Sequence, residues 1–177
     1  MSTATQKQPS LVSDAQSPRK APSIKHQPRS QRYYFDVGVG ALCLSGKDTG
    51  GAYCLLDVGL APGMGVPRHT HTREDEAYFV LAGELEVTVG EKTFVLRSGD
   101  TLLAPRDIPH QLRNYGNVEN HYLLLFSPSG FEEFVMATAV PAPHDAVAPT
   151  EPPPVAFAMS MNSPPTTGSF SADSCQS

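Results

Sequence analysis

Between Tyr33 and Val140 the chain is a succession of short apolar runs cut by Gly, Pro and Asp. The runs are ALCLS, AYCLLDVGL, EAYFVLAG, ELEVTVG, KTFVLR, DTLLAP, HQLRN and HYLLLFS. Several alternate apolar with polar side chains, the period of a half-buried strand. LEVTVGEKTFVL is the clearest case, two alternating strands about a Gly90-Glu91 turn. KDTGG reads as another turn, centred on Asp48 and Thr49, which sets Cys43 opposite Cys54. Only SGFEEFVMATAV reads as a helix. Ser129 is its expected N-cap, with Glu132 and Glu133 in the first turn, where carboxylates complement the helix dipole. About eight short strands and one terminal helix in roughly 110 residues predict a small all-β sandwich or barrel.

The pattern stops at both ends. Residues 1–32 are rich in Ser, Gln, Pro and Lys and almost free of large apolar side chains. Residues 141–177 hold eight of the 17 prolines. Neither end offers enough burial to offset the entropy of ordering, so both are expected as disordered tails around one domain at 33–140. Only VAFAM in the second tail could dock on anything.

Charge sharpens this division. The chain carries a formal net charge of −5. Its first 32 residues hold six Lys/Arg against Asp14 alone, and the remainder holds seven basic and 17 acidic residues. The domain is therefore acidic and lacks the basic face that nucleic acid requires. No apolar stretch reaches the length of a membrane span, and the first 30 residues have no secretory h-region. A cytoplasmic protein is expected. Three cysteines make no disulfide framework. Cys43 and Cys54 are expected as reduced, semi-buried thiols, with a cross-strand disulfide as the other option.

Candidate chemistry concentrates in HTHTREDEAYFVLAG. Residues two apart on a strand share a face, so His69 and His71 project together, toward the core or toward solvent. Glu76 lies at an odd offset from His71. A polar break at TRED would let it open the next strand facing inward, with Tyr78 and Val80 on its face. His110 begins a later strand after Pro109. Three imidazoles and one carboxylate suit Fe, Mn, Ni, Co, Cu or Zn rather than an oxygen-only Ca or Mg cage. From His69 and His71 alone, a solvated acidic loop is the better reading of the stretch.

The full spacing resembles the cupin superfamily. Its first motif, G-x5-H-x-H-x4-E-x6-G, is matched by Gly63, His69, His71, Glu76 and Gly83. Its second, G-x5-P-x-G-x2-H-x3-N, is matched by Gly99, Pro105, His110 and Asn114, with Asp107 in the place of glycine. Aspartate tolerates positive φ better than most residues, so the turn is expected to survive. The resemblance covers about residues 40–128. It implies a small jelly-roll β-barrel with a short C-terminal helix, and one divalent transition metal on His69, His71, Glu76 and His110. Glu74 and Asp75 are left to a solvated turn.

The chain is similar in more detail to single-domain bacterial cupins related to quercetin 2,3-dioxygenase. That likeness implies a metal-dependent dioxygenase of a flavonol-like or enolic small molecule, with Glu76 taking the substrate's hydroxyl proton. Tyr78, Phe79, Leu112, Phe126 and Phe131 are candidates for an apolar substrate pocket, although ordinary core packing is the better explanation of each. A non-oxidative cupin enzyme (an isomerase or polyketide cyclase) and a non-catalytic metal- or ligand-binding cupin are the alternatives. Open sheet edges need covering, so a homodimer is expected.

Overall fold

The computed structural model describes residues 31–151, Asp36 excepted. The expected tails therefore fall, apart from their inner ends, outside the described residues. Eleven strands and two short helices follow in order: β1 (Arg32–Tyr34), β2 (Val39–Leu44), α1 (Gly46–Thr49), β3 (Cys54–Leu60), β4 (Gly65–His69), β5 (Asp75–Ala82), β6 (Glu84–Val89), β7 (Lys92–Arg97), β8 (Thr101–Ala104), β9 (His110–Arg113), β10 (Asn120–Ser127), α2 (Phe131–Thr138) and β11 (Val140–Ala142). All pairings are antiparallel. A seven-stranded sheet runs β11-β1-β2-β3-β10-β5-β8, and a four-stranded sheet runs β4-β9-β6-β7. This is the expected all-β jelly-roll architecture. No helix among the described residues is long and apolar enough to cross a membrane.

The core forms between the sheets. Leu56, Val58, Leu60, Tyr78, Val80, Tyr122 and Phe126 from the large sheet meet Leu85, Val87, Leu96 and Leu112 from the small one. Alternation decides which side chains enter. In the β6–β7 hairpin Leu85 and Val87 are sealed, while Glu84 pairs with Arg97 at 3.1 Å and the Thr88 and Thr93 hydroxyls meet at 2.9 Å outside. Gly90, at φ 58°, makes the turn.

All eight apolar runs form strands, β1 and β11 are additional, and the strand expected to carry both His69 and His71 is β4, which ends at His69 and leaves His71 beyond it. β4 is the one that matters for the site. Its sequence, GVPRH, is short and ends in two polar residues, and Pro67 sits where the register with β9 shifts between Val66 and His69. A proline cannot donate to a ladder, and the irregularity accommodates it. Gly65 lets β4 close on β9, since a Cβ there would fall 2.2 Å from the Leu112 carbonyl oxygen.

Several local expectations are corrected. KDTGG is not a two-residue turn. Ser45 and Asp48 cap the single turn α1, with the Ser45 N–H donating to Asp48 Oδ2 at 2.9 Å, and Gly50 closes it at φ 69°. The register then pairs Leu44 with Leu55 and Leu42 with Leu56, so Cys43 falls in the irregularity and does not face Cys54. Both cysteines are buried and form no disulfide. Ser129 does not cap α2; Gly130 does, at φ 136°. The Glu132 carboxylate takes over the capping, accepting the Gly130 N–H at 2.6 Å and the Gly46 N–H at 2.7 Å. β11 begins at Val140, and Ala142 and Ala148 after it are buried. The Ala148 N–H is held by Glu119 Oε2 at 2.8 Å.

Candidate metal centre

Three segments bring four side chains to one point between the sheets. His69 ends β4, His110 opens β9 directly opposite it, and Glu76 is the second residue of β5 in the other sheet. His71 lies just past β4, where the chain bends at Thr72 and Arg73 before β5 begins. That bend is the break that turns Glu76 inward. One ligand atom from each of the four residues lies within 4.8 Å of all the others. Glu76 Oε2 sits 2.8 Å from His110 Nε2, 3.2 Å from His71 Nε2 and 3.9 Å from His69 Nε2.

The backbone fixes how two of the rings point. His69 Nδ1 lies 2.8 Å from the Pro67 carbonyl, and His110 Nδ1 lies 2.9 Å from the Ile108 carbonyl. A carbonyl only accepts, so each Nδ1 carries a proton and donates it. In the neutral ring this leaves the Nε2 lone pair aimed at the centre. His71 Nε2 is buried and has no hydrogen-bond partner, although Glu76 Oε2 lies 3.2 Å away. A buried ring nitrogen without a partner is costly in a protein interior. Three Nε2 atoms and a carboxylate oxygen fit a borderline divalent metal, which would satisfy them together.

The electrostatics are those of an anion among imidazoles. Burial pushes the Glu76 carboxyl up, but the hydrogen bond that the protonated His110 ring donates from Nε2, with His69 and His71 close by, outweighs it and holds the group well below the usual carboxylate range. Burial pulls His110 down, and its bond to Glu76 reverses this to a net rise. Glu76, His71 and His110 are buried, whereas the His69 side chain is 23% exposed. The cluster therefore opens on the His69 side.

Residues around the cluster hold its loops. Arg106 donates to Asp75 through its backbone N–H, Nε and Nη2 at 2.9, 3.0 and 2.9 Å, clamping the β8–β9 connection to the start of β5. This pairing brings Asp75 down to about 2. Asp107 donates its N–H to the His71 carbonyl at 2.8 Å. It is the one non-glycine at positive φ among the described residues, at 64°, so the turn survives the loss of glycine as expected. Asn114 is a strut: its Nδ2 donates to the Leu60 and Val118 carbonyls at 2.7 and 2.8 Å, and its N–H to the Met64 carbonyl at 2.8 Å. The assignment of Glu74 and Asp75 to a solvated turn is corrected. Asp75 is the clamp, and Glu74 is buried.

The candidate pocket residues separate. Phe131 meets the His71 ring edge-on at 4.4 Å, and Phe126 lies 5.3 Å from it. Tyr78, Leu112 and Phe126 are sealed in the core, and Phe79 is 40% exposed on the outer face of the large sheet. A groove of about 450 Å³ there is lined by Leu55, Ala77, Phe79, Leu103, Leu123 and Leu125. A second groove of about 320 Å³ lies against Gly63, Glu86, Gln111 and Arg113 of the small sheet. Neither is lined by the histidine cluster.

Comparison with known proteins accords with this geometry. The family profile for the cupin domain matches residues 56–126, a span that contains all four clustered side chains. The chain carries a cupin domain. This cupin is 30% identical over 94 residues to quercetin 2,3-dioxygenase of Bacillus subtilis, covering 53% of the chain and 28% of that protein. It is 35% identical over 69 residues to the polyketide synthase CurC of Streptomyces cyaneus, covering 39% of the chain and 45% of that protein. The chain thus spans between about a quarter and about half the length of these curated relatives. An RmlC-like cupin from Shewanella frigidimarina superposes with a TM-score of 0.54 at 18% identity, over 65% of this chain and 97% of that one, which shows the shared fold.

Proposed function

We propose that His69, His71, Glu76 and His110 bind one divalent transition metal (Fe, Mn, Ni, Co, Cu or Zn). We further propose that the protein is a metal-dependent dioxygenase of a flavonol-like or enolic small molecule. The observation that carries the metal is the convergence of three Nε2 atoms on Glu76 Oε2, with two rings aimed by carbonyls behind them. The likeness to quercetin 2,3-dioxygenase supports the oxidative chemistry. When bound, the metal supplies Lewis acidity to a substrate oxygen. His69 and His110 hold fixed orientations from opposite strands, Phe131 offers an apolar edge beside His71, and Glu76 Oε2 is the acceptor for a substrate hydroxyl proton.

Metal analysis with an oxygen electrode tests both parts. Roughly one equivalent of metal, and oxygen uptake matching loss of a flavonol or 1,3-diketone, is the expected result. Less than roughly a tenth of an equivalent after exposure to each metal overturns the metal site. Product formation without oxygen uptake would favour a non-oxidative enzyme such as an isomerase or polyketide cyclase, a reading to which the likeness to CurC lends weight. Tight ligand binding without product would leave a non-catalytic cupin.

We infer in addition that the protein is a cytoplasmic homodimer. Two buried cysteines without a disulfide suit a reducing compartment. The outer groove of the large sheet, with Phe79 40% and Leu103 58% exposed, is lined by no charged side chain and runs to the open edge strand β8. Two copies of an acidic domain meet there with the least repulsion. Light scattering should give twice the chain mass, and Leu103→Glu should halve it. A monomeric wild type overturns this reading.

A further inference from the structure

We infer that α2 is a lid over the metal centre, with Phe131 as the ring that covers His71 and Glu132 as the latch that holds the helix to α1. Its purpose rests on the proposed metal site; its geometry does not.

The cluster is closed. Of the four residues only His69 is appreciably exposed, at 23%, and neither surface groove is lined by them. A pocket for a small molecule commonly holds about 300–1,000 Å³, so a substrate reaches these side chains only when one wall moves. His69, Glu76 and His110 stand on strands paired within the two sheets. Against His71 the wall is α2 instead. Phe131 meets the imidazole edge-on at 4.4 Å. The Phe134 ring, 5.5 Å from that of Phe131, is 41% exposed, so the same helix leads from the cluster to the surface.

This wall is lightly held. The one buried side chain of α2 is the Glu132 carboxylate, and Phe131, Val135 and Met136 are only partly buried against the core. Apolar burial therefore gives the helix little anchorage. The carboxylate supplies it across 86 residues of sequence: Oε1 accepts the Gly46 N–H at the start of α1 at 2.7 Å, while Oε2 accepts the Gly130 N–H at 2.6 Å. The approach is close enough that a Cβ on Gly46 would fall 2.2 Å from Ser129 Oγ and 3.0 Å from Glu132 Oε1. Arg73 Nη2 donates to the Ser129 carbonyl at 3.3 Å, which ties the bend after His71 to the residues before α2. A helix held by a few polar contacts opens locally while the sheets stay folded. Opening carries Phe131 off His71 and uncovers the cluster.

Modification of the metal-stripped full chain by diethyl pyrocarbonate, read histidine by histidine in a mass spectrometer, tests the lid. The reagent attacks an unprotonated ring nitrogen, and His71 Nε2 has no hydrogen-bond partner to mask it, so cover protects it. Glu132→Gln removes the charge and leaves one acceptor oxygen for two backbone N–H groups. His71 should then react about ten- to a hundredfold faster, the effect of losing a charge-assisted bond. His69 and the exposed His121 should keep their rates within about twofold. Phe131→Ala removes the cover itself and should speed His71 by a similar factor. An unchanged His71 rate in either variant overturns the lid. Cobalt(II) bound to Glu132→Gln should also pass to a chelator faster than from the wild type. A wild type that takes up no cobalt while His71 stays shielded overturns the metal site and leaves the lid in place. Should Glu132→Gln loosen the whole domain and speed all three histidines alike, hydrogen exchange of the wild type decides. The Gly46 amide and those of α2 should exchange at least about a hundredfold faster than those of β3 and β10. Exchange of α2 only together with the sheets is the result that overturns it.

Discussion

Removing His110 from the metal-free protein should cost far more than its ring volume suggests. The side chain is fully buried and supplies the shortest contact to a Glu76 carboxylate that is only 2% exposed. His110→Ala strips that partner from an anion that burial alone would make unfavourable. Breaking a buried ion pair on one side costs about 3–5 kcal/mol, a large part of the roughly 5–15 kcal/mol that holds a domain folded. The cause can be separated from the cavity by a second change. In His110→Ala combined with Glu76→Gln the unpaired charge is gone, and the cavity and a lost hydrogen bond remain, about 2–3 kcal/mol. Urea unfolding at pH 7 with chelator present should therefore show the double variant more stable than the single one by about 1–2 kcal/mol. A single variant that loses less than about 1 kcal/mol, or a double variant that is the weaker of the two, would refute the account of Glu76 as a paired buried anion.

Three further outcomes follow from the same contacts. Glu76 is depressed on folding, so its contribution is present above about 4.5 and is lost as pH falls through its folded value; His110 is raised, so its contribution is present below about 6.5 and is lost as pH rises through its folded value. Metal-free unfolding should thus show greatest stability from this pair between those limits, while metal affinity climbs with pH through the same range as protons leave the nitrogens. Gly65→Ala would put a Cβ 2.2 Å from the Leu112 oxygen; it should cost about 1–3 kcal/mol in urea and weaken metal binding, since β4 and β9 carry His69 and His110. Asp75→Asn releases the three-point grip of Arg106 on the loop before His110; calorimetric metal titration should show weaker binding with little change in the unfolding midpoint, and unaltered binding would remove Asp75 from the site's support.

How much of this was legible in the chain differs between strands and loops. Strand identity follows from alternation, which depends on local residues, so all eight apolar runs and the β6–β7 turn were readable. The ligand set was readable from the spacing of His69, His71, Glu76 and His110, and because TRED breaks the chain before Glu76, although His71 lies past the end of β4 rather than on it. The bounds of β4 were not readable, because Pro67 interrupts a strand whose pairing is itself irregular and which ends at His69. Cys43 was misplaced because α1 takes more residues than a two-residue turn, so that Leu44 pairs with Leu55 and Cys43 falls in the irregularity that results. Asp75 and Arg106 look like ordinary surface charges until the fold brings residues 31 apart in sequence together.

The placement of the ligands on two sheets has a mechanical consequence. His69 and His110 belong to strands of the small sheet, Glu76 to the large one, and His71 to the connection between them. A metal held by all four would join the two sheets as well as the four side chains. Binding to the folded state alone stabilises by RT ln(1 + [L]/Kd), about 2.7 kcal/mol at a hundredfold excess over Kd. For a domain of this size that corresponds to a rise of roughly 10 °C in Tm. Because the ion would span the sheets, slowed hydrogen exchange should appear in β4 and β9 and also in β5 and its neighbour β10. Chelation should reverse both effects, and His69→Ala should abolish them. A rise in Tm with protection confined to one sheet would mean that the metal sits on fewer than these four ligands, and Glu76 would be the first to be struck from the set.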